Sequence, residues 1–204
     1  MALLPIRVAG DPVLRQKAKK VRKIDASVQK LIDDMIETMR DAPGVGLAAN
    51  QVGVLLRVVV IEVPKDEDRE AQRPDDWDLY VLVNPQIVKR SGERPLDEGC
   101  LSVPGYKAVV PRSVSVTVKG LNREGREVRV KAEDNLLAEA LEHEIDHING
   151  VLYIDHLESM DELVRLDEDE DEQPDEDQDD ASREKPVATG RAREVKARPA
   201  RARS

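Results

Sequence analysis

Phenylalanine is absent from this chain of 204 residues, which holds one Trp and three Tyr. Any core must therefore be built from aliphatic side chains. The single cysteine, Cys100, excludes a disulfide within the chain and points to a reducing compartment, expected to be the cytoplasm. No stretch approaches the roughly 18 apolar residues of a membrane-spanning helix. Met1 to Gly10 lacks the basic start and apolar run of a secretory signal, so no membrane association is expected. Histidine occurs three times, and two of the three fall in one short motif.

Charge is plentiful but uneven. The net charge is −10. Residues 167–180 carry 11 acidic side chains and residues 183–204 a net +6, which leaves −5 on residues 1–166. That balance is ordinary for an enzyme and does not by itself suggest nucleic acid. An almost purely acidic run repels itself and has nothing apolar to bury. The expected organisation is a catalytic domain over 1–166 and a disordered tail over 167–204, acidic over 167–182 and basic over 183–204.

Val28, Leu31, Ile32, Met35, Ile36 and Met39 recur at helical spacing behind the capping candidates Asp25 and Ser27, and Asp41-Ala42-Pro43-Gly44 stops the helix. The segment Gly44 to Gly53 is rich in glycine and alanine, as where something must approach the backbone closely. It follows a helix with no strand before it, so it is not a dinucleotide loop. Arg57 to Val63 is a β-branched run and predicts a strand. Pro64 to Asp78 predicts a surface loop. Tyr80 to Val83 predicts a strand ended by Asn84-Pro85, and Gln86 to Lys89 a short third one. Ser113–Lys119 and Glu127–Lys131 alternate across a turn, which predicts a hairpin. Tyr153 to Leu166 predicts a last amphipathic helix with Leu157, Met160, Leu163 and Val164 inward. The class is α+β, with a mixed or antiparallel sheet packed around a central helix and further helices at the N- and C-terminal ends.

That central helix carries the chemistry. In His143-Glu144-Ile145-Asp146-His147 the histidines stand four apart, one turn from each other on one face, so both imidazoles can reach one metal ion. Leu137, Leu141, Ile145 and Ile148 form an apolar stripe beside them, and Glu142 and Asp146 fall on the polar side. Asn135 or Asp134 can cap the start, and Gly150 the end. Glu144 beside the first histidine is placed to exchange a proton with water. It would be costly to bury without a partner. A catalytic metal needs a third ligand and an open position. Of Cys100, His156 and a downstream carboxylate, Cys100 is the best candidate, as a soft thiolate in a Gly- and Ser-flanked turn.

Three segments taken together resemble peptide deformylase: Gly44 to Gln51 as Gly-x-Gly-x-Ala-Ala-x-Gln, Glu98 to Ser102 as Glu-Gly-Cys-x-Ser, and His143 to His147 as His-Glu-x-x-His. The resemblance covers about residues 3–165. It implies hydrolysis of the N-formyl group from the formyl-methionine of newly synthesised polypeptides, on a metal held by Cys100, His143 and His147. The implied metal is Fe(II), with Zn, Ni or Co as substitutes. Glu144 would act as acid and base, and Gln51 with the backbone N–H of Leu101 would stabilise the oxyanion. Val45, Gly46, Glu98 and Gly99 would surround the substrate, Glu98 chiefly as a structural carboxylate. Transient contact with the ribosome is implied, and the basic tail adds a weak RNA contact to the expectations. Glu142, Glu139 and Lys107 depart from the family's usual Gln, apolar and Arg residues. Two other readings compete: a His-Glu-x-x-His metallopeptidase with its third ligand downstream, and a non-catalytic RNA-binding protein acting through the tail.

Overall fold

The computed structural model describes residues 2–65 and 76–166. Most of the surface loop expected at 64–78 and the whole tail beyond Leu166 lie outside the described residues. The elements run α1 (Ala26–Asp41), β1 (Gly46–Ala48), β2 (Val58–Pro64), β3 (Trp77–Ser91), β4 (Arg94–Cys100), β5 (Val103–Arg112), β6 (Ser115–Leu121), β7 (Glu127–Glu133), α2 (Leu136–Asn149) and β8 (Val164–Arg165). The strands form a five-stranded sheet ordered β1-β2-β3-β6-β7 and a three-stranded sheet ordered β4-β5-β8. Every pairing is antiparallel.

The large sheet is covered on both faces, which is why β2 reads as an unbroken β-branched run. Val58 and Val60 pack towards Ile32, Met35 and Met39 of α1. Val59 and Ile61 pack towards Leu137, Leu141, Ile145 and Ile148 of α2. The Asp25 carboxylate caps α1 by accepting from the Ser27 and Val28 N–H groups. Asn135 caps α2 through Ala138, and Gly150 ends it at φ 83°. A Cβ on Gly150 would stand 2.8 Å from the Arg15 carbonyl oxygen, so no side chain fits there.

The structure departs from expectation in three places. Asn84-Pro85 does not end a strand: β3 runs through as one strand with register shifts. Asn84 takes φ 56°, which asparagine tolerates, and its amide exchanges hydrogen bonds with the Val21 N–H and carbonyl. Residues 94–112 form a hairpin that Pro95, Pro104, Pro111 and Gly105 conceal in the sequence. Pro95 faces Pro111 across it, a pair in which neither residue has an N–H to give.

The helix expected over Tyr153–Leu166 is two single turns, Tyr153–His156 and Met160–Glu162, followed by β8. Leu157 is extended, Met160 is 61% exposed, and Val164 also faces outward. Only Leu157 and Leu163 of the expected inward set pack on the small core of Val103, Ala108, Val110 and Tyr153. Two long-range interactions override the helical period. The Tyr153 hydroxyl donates to the Tyr106 carbonyl oxygen at 3.1 Å, and Val164 and Arg165 pair with β5.

Candidate metal centre

α2 carries His143 and His147 beneath the β4–β5 turn, where Cys100 sits. The Nε2 atoms of the two imidazoles stand 3.1 Å apart, and the Cys100 Sγ is 3.2 Å from the Nε2 of His147. The three ligand atoms all lie within 4.8 Å of one another. Bond lengths of about 2.0–2.1 Å to nitrogen and 2.3 Å to sulfur at tetrahedral angles place ligand atoms about 3.3–3.6 Å apart. Two of the three separations, 3.1 and 3.2 Å, are close to that. His143 turns its Nδ1 to Glu98 Oε2 at 2.9 Å, which points the Nε2 lone pair at the other two donors. The donor set, one thiolate and two imidazoles, therefore fits a divalent transition metal.

Glu98 does not line the cleft. It is 2% exposed and fully engaged behind the histidines. Its oxygens accept from Arg112 Nε at 2.6 Å and Nη2 at 3.0 Å as well as pairing with His143. Arg112 continues through Nη1 to Asp146 Oδ2 at 2.6 Å, and Asp146 meets His156 Nε2 at 2.9 Å. Glu98, expected near the substrate chiefly as a structural carboxylate, takes the structural place, and Glu142, on the polar side of the helix, is not left to solvent. Glu142 is buried and accepts from Arg90 Nε, the Ser113 N–H and the Ser113 hydroxyl. Sequence reasoning missed Arg112 and Asp146 as parts of the site. The Arg112 partners are 14 and 34 residues away in sequence.

The front of the centre opens into a cleft of about 550 Å³ lined by Val45, Gly46, Gln51, Gly99, Leu101, Glu139 and Glu144 among others. The β1 segment is tied down by Asn50, whose amide donates to the His147 carbonyl oxygen. Gln51 accepts from the Ala48 N–H at 2.8 Å and donates to the Ser102 hydroxyl at 3.1 Å, with the Cys100 sulfur 3.8 Å away. What approaches Gly46 closely is Glu144: a Cβ there would stand 2.4 Å from Glu144 Oε1. Glu144 is 4% exposed, and its Oε2 has no hydrogen-bond partner among the described residues. His147 Nδ1 likewise has none.

The electrostatics follow from these contacts. Burial, reinforced by the Glu98 charge and opposed by His143 and Arg112, pushes Glu144 up to about 7. Burial also acts on Glu98, but hydrogen bonds from His143 and Arg112 overcome it and hold Glu98 below the usual carboxylate range. Burial pushes His147 well down, helped by the neighbouring His143. For His143 burial is outweighed by Cys100 and Glu98, and its pKa rises. Glu139, in the cleft wall, is pushed up first by burial and then by Glu98.

Two downstream positions that a metallopeptidase could use for a third ligand are otherwise engaged. Tyr153 stands six residues after His147, and its hydroxyl is bound to the Tyr106 carbonyl; His156 is bound to Asp146.

Comparison with known proteins gives a consistent result. The model of the family described as polypeptide deformylase matches residues 3–163. A peptide deformylase of Dehalococcoides mccartyi strain CBDB1 is 51% identical over 174 residues, 85% of this chain and 97% of that protein. The crystal structure of a peptide deformylase from Legionella pneumophila superposes with a TM-score of 0.68 at 47% identity, covering 76% of this chain and 86% of that one. The Ehrlichia chaffeensis peptide deformylase in complex with actinonin gives 0.72 at 40% identity, covering 79% and 92%.

Proposed function

The chain belongs to the polypeptide deformylase family, and on that premise we propose how its own residues remove the N-formyl group from newly synthesised polypeptides. The reaction is hydrolysis of an amide. Water adds to the formyl carbon, the C–N bond breaks, and formate and a free amine leave. Cys100, His143 and His147 would hold the metal, which when bound would supply Lewis acidity and lower the pKa of water towards neutrality. Glu144 takes the proton of the attacking water and returns it to the departing amine. Its burial and its unpartnered Oε2 are the observations that carry this assignment. Gln51 Nε2 and the Leu101 N–H stabilise the oxyanion. Glu98 holds the tautomer of His143. Val45, Gly46 and Gly99 border the substrate, as their place in the cleft lining supports.

We propose Fe(II) as the resident metal, with Zn, Ni and Co as substitutes, because membership of the family implies it; the thiolate–imidazole set accepts any of these divalent ions. A thiolate beside redox-active iron is sensitive to oxidation, so the iron form should lose activity in air sooner than a nickel form. Residues 1–166 form the catalytic domain in this reading. The work takes place in the cytoplasm in transient contact with the ribosome, and the eight Lys and Arg side chains of residues 183–204 add a weak RNA contact. Among the described residues, no helix is long and apolar enough to cross a membrane.

The deciding experiment purifies the protein without oxygen, measures its metal content, and follows formate release from a short formyl-Met peptide. Replacing Cys100 by Ser should lower bound metal and turnover together. Full metal content and full turnover in that variant would reject the assignment.

A further inference from the structure

Away from the metal cleft, two hollows of about 580 and 530 Å³ adjoin and share Lys20 and Gln86 in their walls. They have no lining residue in common with the cleft. Their walls carry Lys17, Lys20, Arg57 and Arg90 in one and Lys119 and Arg129 in the other; Arg90 is paired with Glu142 behind the wall, and the one carboxylate in the lining is that of Glu127. In a chain with a net charge of −10 this is a marked segregation of sign.

Two features of the walls are costly as they stand. Arg57 is 7% exposed, yet all its partners are neutral: Asn149 Oδ1 at 2.9 Å, the Pro85 carbonyl at 2.9 Å and the Ile148 carbonyl at 3.4 Å. A buried guanidinium without a carboxylate keeps much of its desolvation penalty, and burial alone pushes its pKa down. Lys119 and Arg129 face each other in register across β6 and β7. Like charges directly opposite destabilise a strand pair, and neither has an ion pair among the described residues. An anion seated along the trough removes both penalties.

We propose that this trough binds the phosphodiester backbone of RNA. The cations are strung across two joined hollows, which suits a repeating anion better than a single phosphate, and guanidinium groups match phosphate geometry. The proposal rests on the deformylase reading, because newly synthesised polypeptides emerge from an RNA-built machine. The surface is distinct from the basic tail, and it would dock the folded domain while the cleft stays open.

The test uses the full chain and a labelled single-stranded RNA of about 20 nucleotides, with binding followed by fluorescence anisotropy over a salt series. Single strands lose affinity with a log–log slope of about −0.7 per neutralised phosphate. Lys119→Glu with Arg129→Glu should weaken binding about tenfold or more at low salt and flatten the slope by about 1–2. Turnover of a short formyl peptide should be unchanged, which also reports that the variant is folded. If the double reversal misfolds, Lys119→Gln with Arg129→Gln should show the same direction of change with a smaller amplitude. A folded variant that binds RNA like the parent chain overturns the proposal. So does complete loss of binding on removing residues 183–204 with no further effect of the trough changes. Displacement of RNA by inorganic phosphate at matched ionic strength, or equally well by polyglutamate, overturns the choice of RNA. Absence of formyl-peptide turnover in the parent chain would instead strike the deformylase reading, which the binding arms leave separate.

Discussion

Two glutamates stand on opposite sides of His143, both almost fully buried, and their surroundings drive them in opposite directions. Glu98, behind the histidines, meets Arg112 twice and His143 once, and its pKa falls. Glu144, facing the cleft, has an oxygen with no partner, and its pKa rises to about 7. Burial acts in the same sense on both, and only the pairing differs. The pairing separates a carboxylate that holds structure from one that can exchange a proton near neutral pH.

The largest expected effect breaks that contrast at its chemical end. Glu144→Gln should lower kcat/KM by about 10²–10⁴-fold, the usual share of a general acid–base residue, and keep its metal because no ligand is lost. Steady-state formate release alongside metal analysis measures both, and near-parental turnover would remove Glu144 from its role.

The structural end breaks through Arg112. Arg112→Leu leaves Glu98 buried without its guanidinium and should cost about 3–5 kcal/mol in denaturant unfolding. A cost below about 1 kcal/mol would mean that Glu98 is held by other means.

A smaller effect sharpens the contrast through pH. A carboxyl raised in the folded state favours folding when protonated, so its contribution is full below its ordinary 4.5 and is lost as pH rises towards about 7. Metal-free Glu144→Gln should therefore be more stable than the metal-free parent at about pH 8, by on the order of 1–3 kcal/mol. The difference should vanish near about pH 4. Glu98 and Asp146 have the opposite sign. Their lowered pKa values give stability that is full above the ordinary carboxylate range and is lost as pH falls through the lowered values. Urea midpoints of both proteins at the two pH values decide the matter.

The smallest effect concerns the space in front of Glu144. In Gly46→Ala the new Cβ meets Glu144 Oε1 at 2.4 Å, whereas in Gly44→Ala it meets the outer carbons of the Leu101 side chain at 2.8 Å. The first should cost about 1–3 kcal/mol and much of the turnover, the second less of each, because the Leu101 side chain can rotate away. Equal losses in the two variants would show that Glu144 also yields freely.

How far the sequence could be read depends on the range of the interaction concerned. α1 and α2 were legible because their stripes and caps act within one or two turns. Tyr153–Leu166 kept a helical spacing but was overruled by the bond from Tyr153 to Tyr106 and by pairing with β5. The β4–β5 hairpin was hidden because strand patterns discount proline, and the paired prolines face each other across it. Within the site, the three motifs carried Cys100, His143, His147, Glu144 and Gln51. Arg112 and Asp146 were not legible, since an arginine and an aspartate in sequence carry no mark of having found each other.

By itself the sequence determined the helix that sets His143 and His147 on one face, the caps that start and stop it, and a core without phenylalanine. These follow from a period of 3.6 residues and from side-chain chemistry. The tertiary structure alone decided that Cys100, 47 residues before His147, comes within 3.2 Å of it. It also decided that Glu98 is paired while Glu144 is not, and that cations from five separate segments line one trough. Desolvation and pairing are sums over neighbours in space, and those neighbours come from remote parts of the chain.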